Sequence, residues 1–174
     1  MRICGVDPGL NVTGYGVIES LDGAMTVIDA GTIRSSSKSE LSFRLREIFD
    51  GLCEVLDEHE VDLVAVENVY SHYNHPQTAV LMGHARGMVL LAATQRCRPV
   101  SSFAATQIKR ALTGNGRASK SQMQQAIKMR LGLRACPEPH DVADALAIAL
   151  CAFDHTRPQQ GARANLPDIG ARAT

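Results

Sequence analysis

The sequence predicts an α/β domain: a mixed five-stranded sheet with helices on both faces. Three observations predict it. Three apolar stretches at the start of the chain are separated only by short turn sequences, as in an antiparallel meander. A long helical pattern then connects to a further strand, the crossover that lets a strand join a sheet in parallel. The second half alternates one more strand with segments of helical periodicity.

Residues 3–6 form the first strand, which ends at the turn signal Asp7-Pro8-Gly9. A second strand covers residues 13–19, Leu21-Asp22-Gly23 makes a hairpin turn, and a third strand covers 25–33. Ser37-x-x-Glu40 has the form of a capping box, and Leu41, Leu45, Ile48, Leu52, Val55 and Leu56 recur at helical spacing behind it. Residues 61–66 are nearly continuous in apolar side chains, as a strand covered on both faces should be. A helix follows over 78–94, where Ala79, Gly83 and Gly87 form a small-residue stripe. That stripe permits close packing, either on the chain's own sheet or across a dimer seam. A fifth strand over 99–103 leads to a helix over 105–112, which Gly114-Asn115-Gly116 breaks. The next helix covers 119–131 with Ser119-x-x-Gln122 as its capping box, and a last one covers 139–153. Residues 1–156 read as a single domain. Residues 157–174, rich in Pro, Gln, Gly, Ala and Arg without periodicity, read as a disordered tail.

Composition narrows the function classes. The 174 residues are 45% hydrophobic and 21% charged, which excludes a disordered chain, a collagen-like repeat and a disulfide miniprotein. Five scattered cysteines without a C-x-x-C pair fit reduced thiols in the cytoplasm better than a disulfide framework or a thiolate zinc site. No apolar run approaches the roughly 20 residues needed to span a bilayer, and the start has no export signal pattern. The net charge is zero, but its distribution is not even. Residues 1–67 hold 13 acidic and 5 basic side chains, whereas 68–137 hold ten Lys or Arg and no acid at all. So long a stretch without a carboxylate points to a polyanion partner, whose phosphates are met mainly by Lys and Arg.

Four acids stand out by position. Asp7 ends the first strand and Glu67 ends the fourth; if these strands are neighbours, both carboxylates lie at the strand ends where ligands collect in open α/β sheets. Asp141 and Asp144, three apart, share one face of the last helix with Ala145 and Ile148. Each of these positions also has a plain structural use, as a capping or solvated carboxylate. Their conjunction is what counts. Like charges crowded in partial burial raise one another's pKa unless a cation neutralises them, and oxygen-only donors select hard cations such as Mg²⁺ or Mn²⁺. Two such ions can activate a water and stabilise the leaving oxygen in phosphodiester cleavage.

Several motifs in register carry a family likeness. Asp7-Pro8-Gly9 with Thr13-Gly14-Tyr15-Gly16, Val66-Glu67-Asn68-Val69-Tyr70, His84-Ala85-Arg86-Gly87, the segment from Gly114 to Lys120, and the segment from Asp141 to Ala147 occur in that order. Together they resemble the RuvC Holliday-junction resolvases from residue 1 to about 155. The resemblance implies a ribonuclease H-like fold and a homodimer that binds four-way DNA junctions. It implies paired symmetric nicks in homologous recombination and DNA repair, leaving 5′-phosphate and 3′-hydroxyl ends, and cooperation with the RuvA–RuvB branch-migration complex. The family's four acids fall on Asp7, Glu67, Asp141 and Asp144, holding two Mg²⁺ ions per subunit with Mn²⁺ as a substitute. Asp7 takes the central role, Glu67 and Asp144 are further ligands, and Asp141 is a ligand or water-orienting group.

Lys109, Arg110, Arg117, Lys120, Lys128 and Arg130 crowd two helices and the glycine loop between them. The resemblance assigns Lys109 and Lys120 to the DNA near the scissile bond, with Arg110 and Arg117 beside them. Tyr70 falls where the family has an aromatic that stacks on an unpaired base; a ring packed in the core is the plain alternative. Tyr73, Leu81 and His84 depart from common family residues. His72, His75 and His84 read as surface or DNA-facing side chains, and His140 either orients a ligand or simply opens its helix. A sugar-kinase or actin-like ATPase shares the opening strand pattern but needs a second domain. A non-catalytic junction-binding protein and another ribonuclease H-like nuclease remain as alternatives.

Overall fold

The computed structural model describes residues 1–21, 24–68 and 76–156. Its strands are β1 (Arg2–Asp7), β2 (Val12–Leu21), β3 (Ala24–Arg34), β4 (Leu63–Glu67) and β5 (Val100–Phe103). Its helices are α1 (Leu41–Glu58), α2 (Pro76–Gln95), α3 (Ala105–Thr113), α4 (Lys120–Arg130) and α5 (His140–Thr156). The expected mixed sheet forms in the order β3-β2-β1-β4-β5. β1 pairs antiparallel with β2 and parallel with β4, and β5 continues the parallel side. A register shift between Val17 and Ile18 interrupts the β2–β3 ladder.

Side chains alternate across the strands, so one sheet carries two cores. Ile3, Ile18, Leu63, Ala65 and Phe103 belong to the core shared with α3, α4 and α5. Cys4, Val6, Val17, Val64 and Val66 belong to the core shared with α1 and α2. α5 is apolar through most of its length, with every residue from Val142 to Phe153 buried except Asp144. It lies so close to the sheet that glycine is required beneath it. A Cβ on Gly5 would stand 2.1 Å from the Ala145 carbonyl oxygen and 2.6 Å from the Ala149 nitrogen. One on Gly14 would stand 2.1 Å from the Asp141 carbonyl oxygen.

Some helix ends follow their expected capping chemistry and others do not. At α4 the Ser119 hydroxyl accepts from the Gln122 backbone N–H at 3.3 Å, and Gln122 Oε1 accepts from the Ser119 N–H at 2.8 Å, completing the expected box. α3 closes on Gly114 in the left-handed region, with its N–H donating to the Arg110 carbonyl. The Ser37–Glu40 box does not form. Glu40 is itself the N-cap residue and makes no side-chain cap bond, while Glu47 reaches back to accept from the Ser36 N–H at 3.0 Å. Packing on the chain's own sheet is likewise not the use of the small-residue stripe: a Cβ at Gly83 or Gly87 meets nothing within 4 Å. α2 packs instead through Ala85, Val89, Ala92 and Ala93. The Asp22-Gly23 turn and the expected tail, 157–174, lie outside the described residues.

Gly5→Ala drives a methyl into the α5 backbone and is expected to cost about 3 kcal/mol of unfolding free energy, read by denaturant titration. Ile148→Val, on the same helix but only removing a methyl, is expected to cost about 1 kcal/mol.

Candidate active site

Register brings the first two acids together. The parallel pairing of β1 with β4 runs from Ile3↔Leu63 to Val6↔Val66, so Asp7 and Glu67 occupy adjacent positions just beyond it. By alternation both follow their strands' odd-numbered residues onto the α5 face. Asp7 also pairs with Gly14, the residue pressed against the Asp141 backbone, which brings the start of α5 to the same edge. Glu67 and Asp144 then line a cavity of about 310 Å³ together with Lys109 of α3 and Lys120 of α4. Ile108, Met123 and Ile148 form its apolar wall.

Burial and mutual repulsion set the protonation behaviour. Burial, followed by the charges of Asp144, Glu67 and Asp141, pushes the Asp7 carboxyl from its ordinary 3.8 up to about 7, with Lys120 opposing. Burial and the charge of Asp144 raise Glu67, opposed by Lys109. Although Asp144 opens to solvent through the cavity, partial burial raises its carboxyl, opposed by Lys120, assisted by Asp141, and opposed further by His140 and Lys109. The acids therefore act on one another as charges, but they are not gathered into a cage. Among the described residues no three acid, histidine or cysteine side chains form a ready-made metal-binding group. Crowded, partly buried carboxylate oxygens with no neutral donor among them still fit a hard divalent cation, which would relieve the repulsion that raises Asp7.

The sequence model of the family described as crossover junction endodeoxyribonuclease RuvC matches residues 3–152. The chain belongs to the RuvC family. It is similar to the RuvC of Rhodopirellula baltica, 53% identical over 149 residues that cover 86% of this chain and 84% of the relative. The RuvC of Caldicellulosiruptor saccharolyticus is 42% identical over 152 residues, covering 87% and 91%. Among solved structures, Thermus thermophilus RuvC in complex with a Holliday junction substrate superposes with a TM-score of 0.83 at 32% identity, over 89% of this chain and 94% of that one. The ribonuclease H-like fold class expected from the motifs is thereby established.

Against this RuvC frame the basic residues divide. Lys109 and Lys120 face the cavity, whereas Arg110 and Arg117 are exposed at the glycine loop, whose form is held by Asn115 Oδ1 accepting from the Arg117 N–H at 2.9 Å. Arg130 is not a free cation. It makes two hydrogen bonds of 2.6 Å to Asp154, an acid 24 positions away that its own sequence neighbourhood does not reveal. Tyr70, His72 and His75 lie outside the described residues. His84 is exposed on α2.

Three sets of supporting contacts surround the site. The loop after Asp7 is tied down by Thr13, fully buried, whose hydroxyl donates to the Gly9 carbonyl at 2.8 Å. Arg44 of α1 clamps the same loop, donating to the Leu10 carbonyl at 3.2 Å, to Asn11 Oδ1, and to the Ser35 hydroxyl at 3.1 Å. At the other end of the site, Gln124 Nε2 lies 3.3 Å from His140 Nδ1 and joins α4 to the start of α5. Thr13 and Gly9 are near neighbours in the chain, whereas only the fold brings Arg44 to Leu10 and Gln124 to His140.

The Asp7 shift has a defined pH consequence. Its folded value lies above its unfolded one, so the folded chain holds the extra proton. That stabilisation is complete below about pH 3.8 and is lost as the pH rises through about 7. In EDTA, Asp7→Asn is expected to gain stability over the wild type, and the gain is expected to be about 2–3 kcal/mol larger at pH 8 than at pH 5 by urea unfolding. Equal gains at the two pH values would show that Asp7 titrates in the ordinary carboxylate range.

Proposed function

We propose that this chain is a structure-selective endonuclease that resolves four-way DNA junctions by paired symmetric nicks in homologous recombination and DNA repair. The observation that carries this reading is the single cavity in which Glu67 and Asp144 meet Lys109 and Lys120, with Asp7 coupled to both acids. The junction complex of the Thermus relative supports the substrate class. Asp7, Glu67, Asp141 and Asp144 would hold the divalent cation, with Asp7 central, Glu67 and Asp144 as further ligands, and Asp141 as a ligand or water-orienting group. Two Mg²⁺ ions per subunit, replaceable by Mn²⁺, are the occupancy we assign; held by these acids, they would supply water activation and stabilisation of the departing 3′ oxygen.

The chain's own side chains do the rest. Carboxylates alone would repel a phosphodiester; Lys109 and Lys120 offset that charge and hold a phosphate beside the acids. Arg110 and Arg117 extend the positive surface along the backbone, and Tyr70 stacks on an unpaired base at the junction centre. Cleavage leaves a 5′-phosphate and a 3′-hydroxyl that a ligase can seal. No helix among the described residues is long and apolar enough to cross a membrane; a cytoplasmic location and cooperation with RuvA–RuvB complete the reading.

Paired nicks need two sites, so we assign a homodimer with its seam on α2. Val80, Leu81, Met82 and Leu91 are exposed there, beside the open Gly83 and Gly87 positions. A Cβ at Gly83 meets nothing within 4 Å among the described residues, and Gly83→Leu is expected to yield folded monomers by sedimentation. A stable dimer of this variant sinks the seam.

The function itself is tested with an end-labelled four-way junction beside linear duplex, in Mg²⁺ and in EDTA. Ligatable paired nicks confined to the junction, and lost with EDTA or in Asp7→Asn, are the expected result. Tight binding without nicking in Mg²⁺ or Mn²⁺ would favour a non-catalytic junction binder; no preference for the junction would refute the reading. Lys120→Ala is expected to weaken junction affinity and lower its salt slope by about 1.

A further inference from the structure

We propose that Arg86 of α2 is a positioning residue for Glu67, acting through the backbone of β4 rather than through the carboxylate. Its Nε donates to the Glu67 main-chain carbonyl at 3.2 Å, and its Nη2 donates to the Ser102 hydroxyl of β5 at 2.8 Å. One guanidinium thus joins α2, β4 and β5 at the point where Glu67 leaves the sheet.

That point needs a partner from elsewhere. The β1–β4 ladder ends at Val6↔Val66, one residue before Glu67, and the β4–β5 ladder ends at Glu67↔Phe103. The Asn68 N–H still donates to the Phe103 carbonyl at 2.8 Å, so the chain is held on the β5 side. The carbonyl of Glu67 is taken by Arg86, which satisfies a backbone acceptor that strand pairing has just stopped serving. The grip is anchored because Ala85, beside Arg86, and Val89, one turn on, are buried against the sheet. The hydrogen bonds that Arg86 makes among the described residues go to the Glu67 carbonyl and the Ser102 hydroxyl, not to the Glu67 carboxylate. The guanidinium therefore fixes where the Glu67 Cα–Cβ bond points, and leaves the carboxylate free to face the cavity. A planar fork can make both bonds at once, whereas a lysine ammonium on a flexible stem has no such geometry.

This assignment rests on the reading of Glu67 as a ligand of the nuclease site. The full-length protein is compared with Arg86→Gln, Arg86→Lys, Ser102→Ala and Glu67→Gln. Four quantities are read: single-turnover nicking of the four-way junction, junction affinity and its salt slope, Mn²⁺ binding by electron paramagnetic resonance without DNA, and hydrogen exchange at the Asn68 amide. Arg86→Gln is expected to slow nicking and weaken Mn²⁺ binding by about 10–100-fold, the usual cost of losing a group that orients a metal ligand. Junction affinity and salt slope stay as in the wild type, and exchange at Asn68 speeds up while that of the β1 amides does not. Arg86→Lys recovers part of the loss, and Ser102→Ala loses less than Arg86→Gln.

Weaker junction affinity with a smaller salt slope would instead make Arg86 a phosphate contact and overturn the proposal. So would a general rise in exchange across the sheet, which would mark Arg86 as a support of the fold alone. Wild-type nicking and Mn²⁺ binding in all Arg86 variants, with Glu67→Gln inactive, would remove the positioning role and leave the reading of Glu67 intact. Full nicking by Glu67→Gln would remove that reading itself.

Discussion

The contact on which the rest of this structure depends is the close seating of α5 on β1 and β2. At Gly5 and Gly14 the helix backbone occupies the space that any side chain would need. This closeness does more than fill a core. It lowers the first turn of α5 onto the edge where β1 and β4 end, so that Asp141 and Asp144 arrive at the level of Asp7 and Glu67. A helix held one side-chain diameter further out would keep its apolar contacts with larger residues and still fail to bring the carboxylates into one electrostatic group. The glycines are thus part of the site, although neither touches a ligand.

Around that contact the charges are arranged in opposition. Three acids from two elements, Glu67 of β4 with Asp141 and Asp144 of α5, press on Asp7, and burial limits the screening of their charges by water. Lys109 and Lys120 enter from α3 and α4 and pull the other way. The candidate site is therefore a place where the metal-free protein gives up stability, as sites built for a charged guest commonly do. Elsewhere charges are paired in the ordinary way, as in the Arg130–Asp154 fork and the contact of Arg96 with Asp57. Within the acid-free stretch of the sequence, Lys109 and Lys120 face the cavity, whereas Arg96 and Arg130 pair with acids from other segments.

Much of this was legible in the sequence because it rests on short-range pattern. Apolar runs bounded by turn signals marked the strands, the 61–66 run marked the buried parallel strand found at Leu63–Glu67, and Ser119 with Gln122 marked a cap that forms as read. That Asp7 and Glu67 would lie side by side was legible by position, since each ends an apolar strand and the crossover makes those strands neighbours. What escaped depends on partners distant in the chain. Arg130 meets an acid on α5, Arg44 reaches back to the loop after Asp7, and Arg86 reaches a main-chain carbonyl that carries no residue identity at all. The Ser37–Glu40 motif failed for a local reason: Glu40 took the cap position itself and left Ser37 outside the helix. The small-residue stripe on α2 read equally well as inward or outward packing, because spacing along a helix does not say which way the stripe faces.

The order of elements along the chain also gives the site a history during synthesis. Asp7 and Glu67 are made early and sit on strands that can pair as soon as α1 has formed the crossover. Asp141 and Asp144 belong to α5, the last described element. At roughly 5–20 residues per second, on the order of 4–15 s separate the translation of Glu67 from that of Asp144. Throughout that interval the nascent chain carries half of its acids and an uncovered sheet face, and it has no enclosed cavity. A messenger cut short before the codons of α5 would therefore yield a chain that lacks two of the four candidate acids and the helix that covers this face of the sheet.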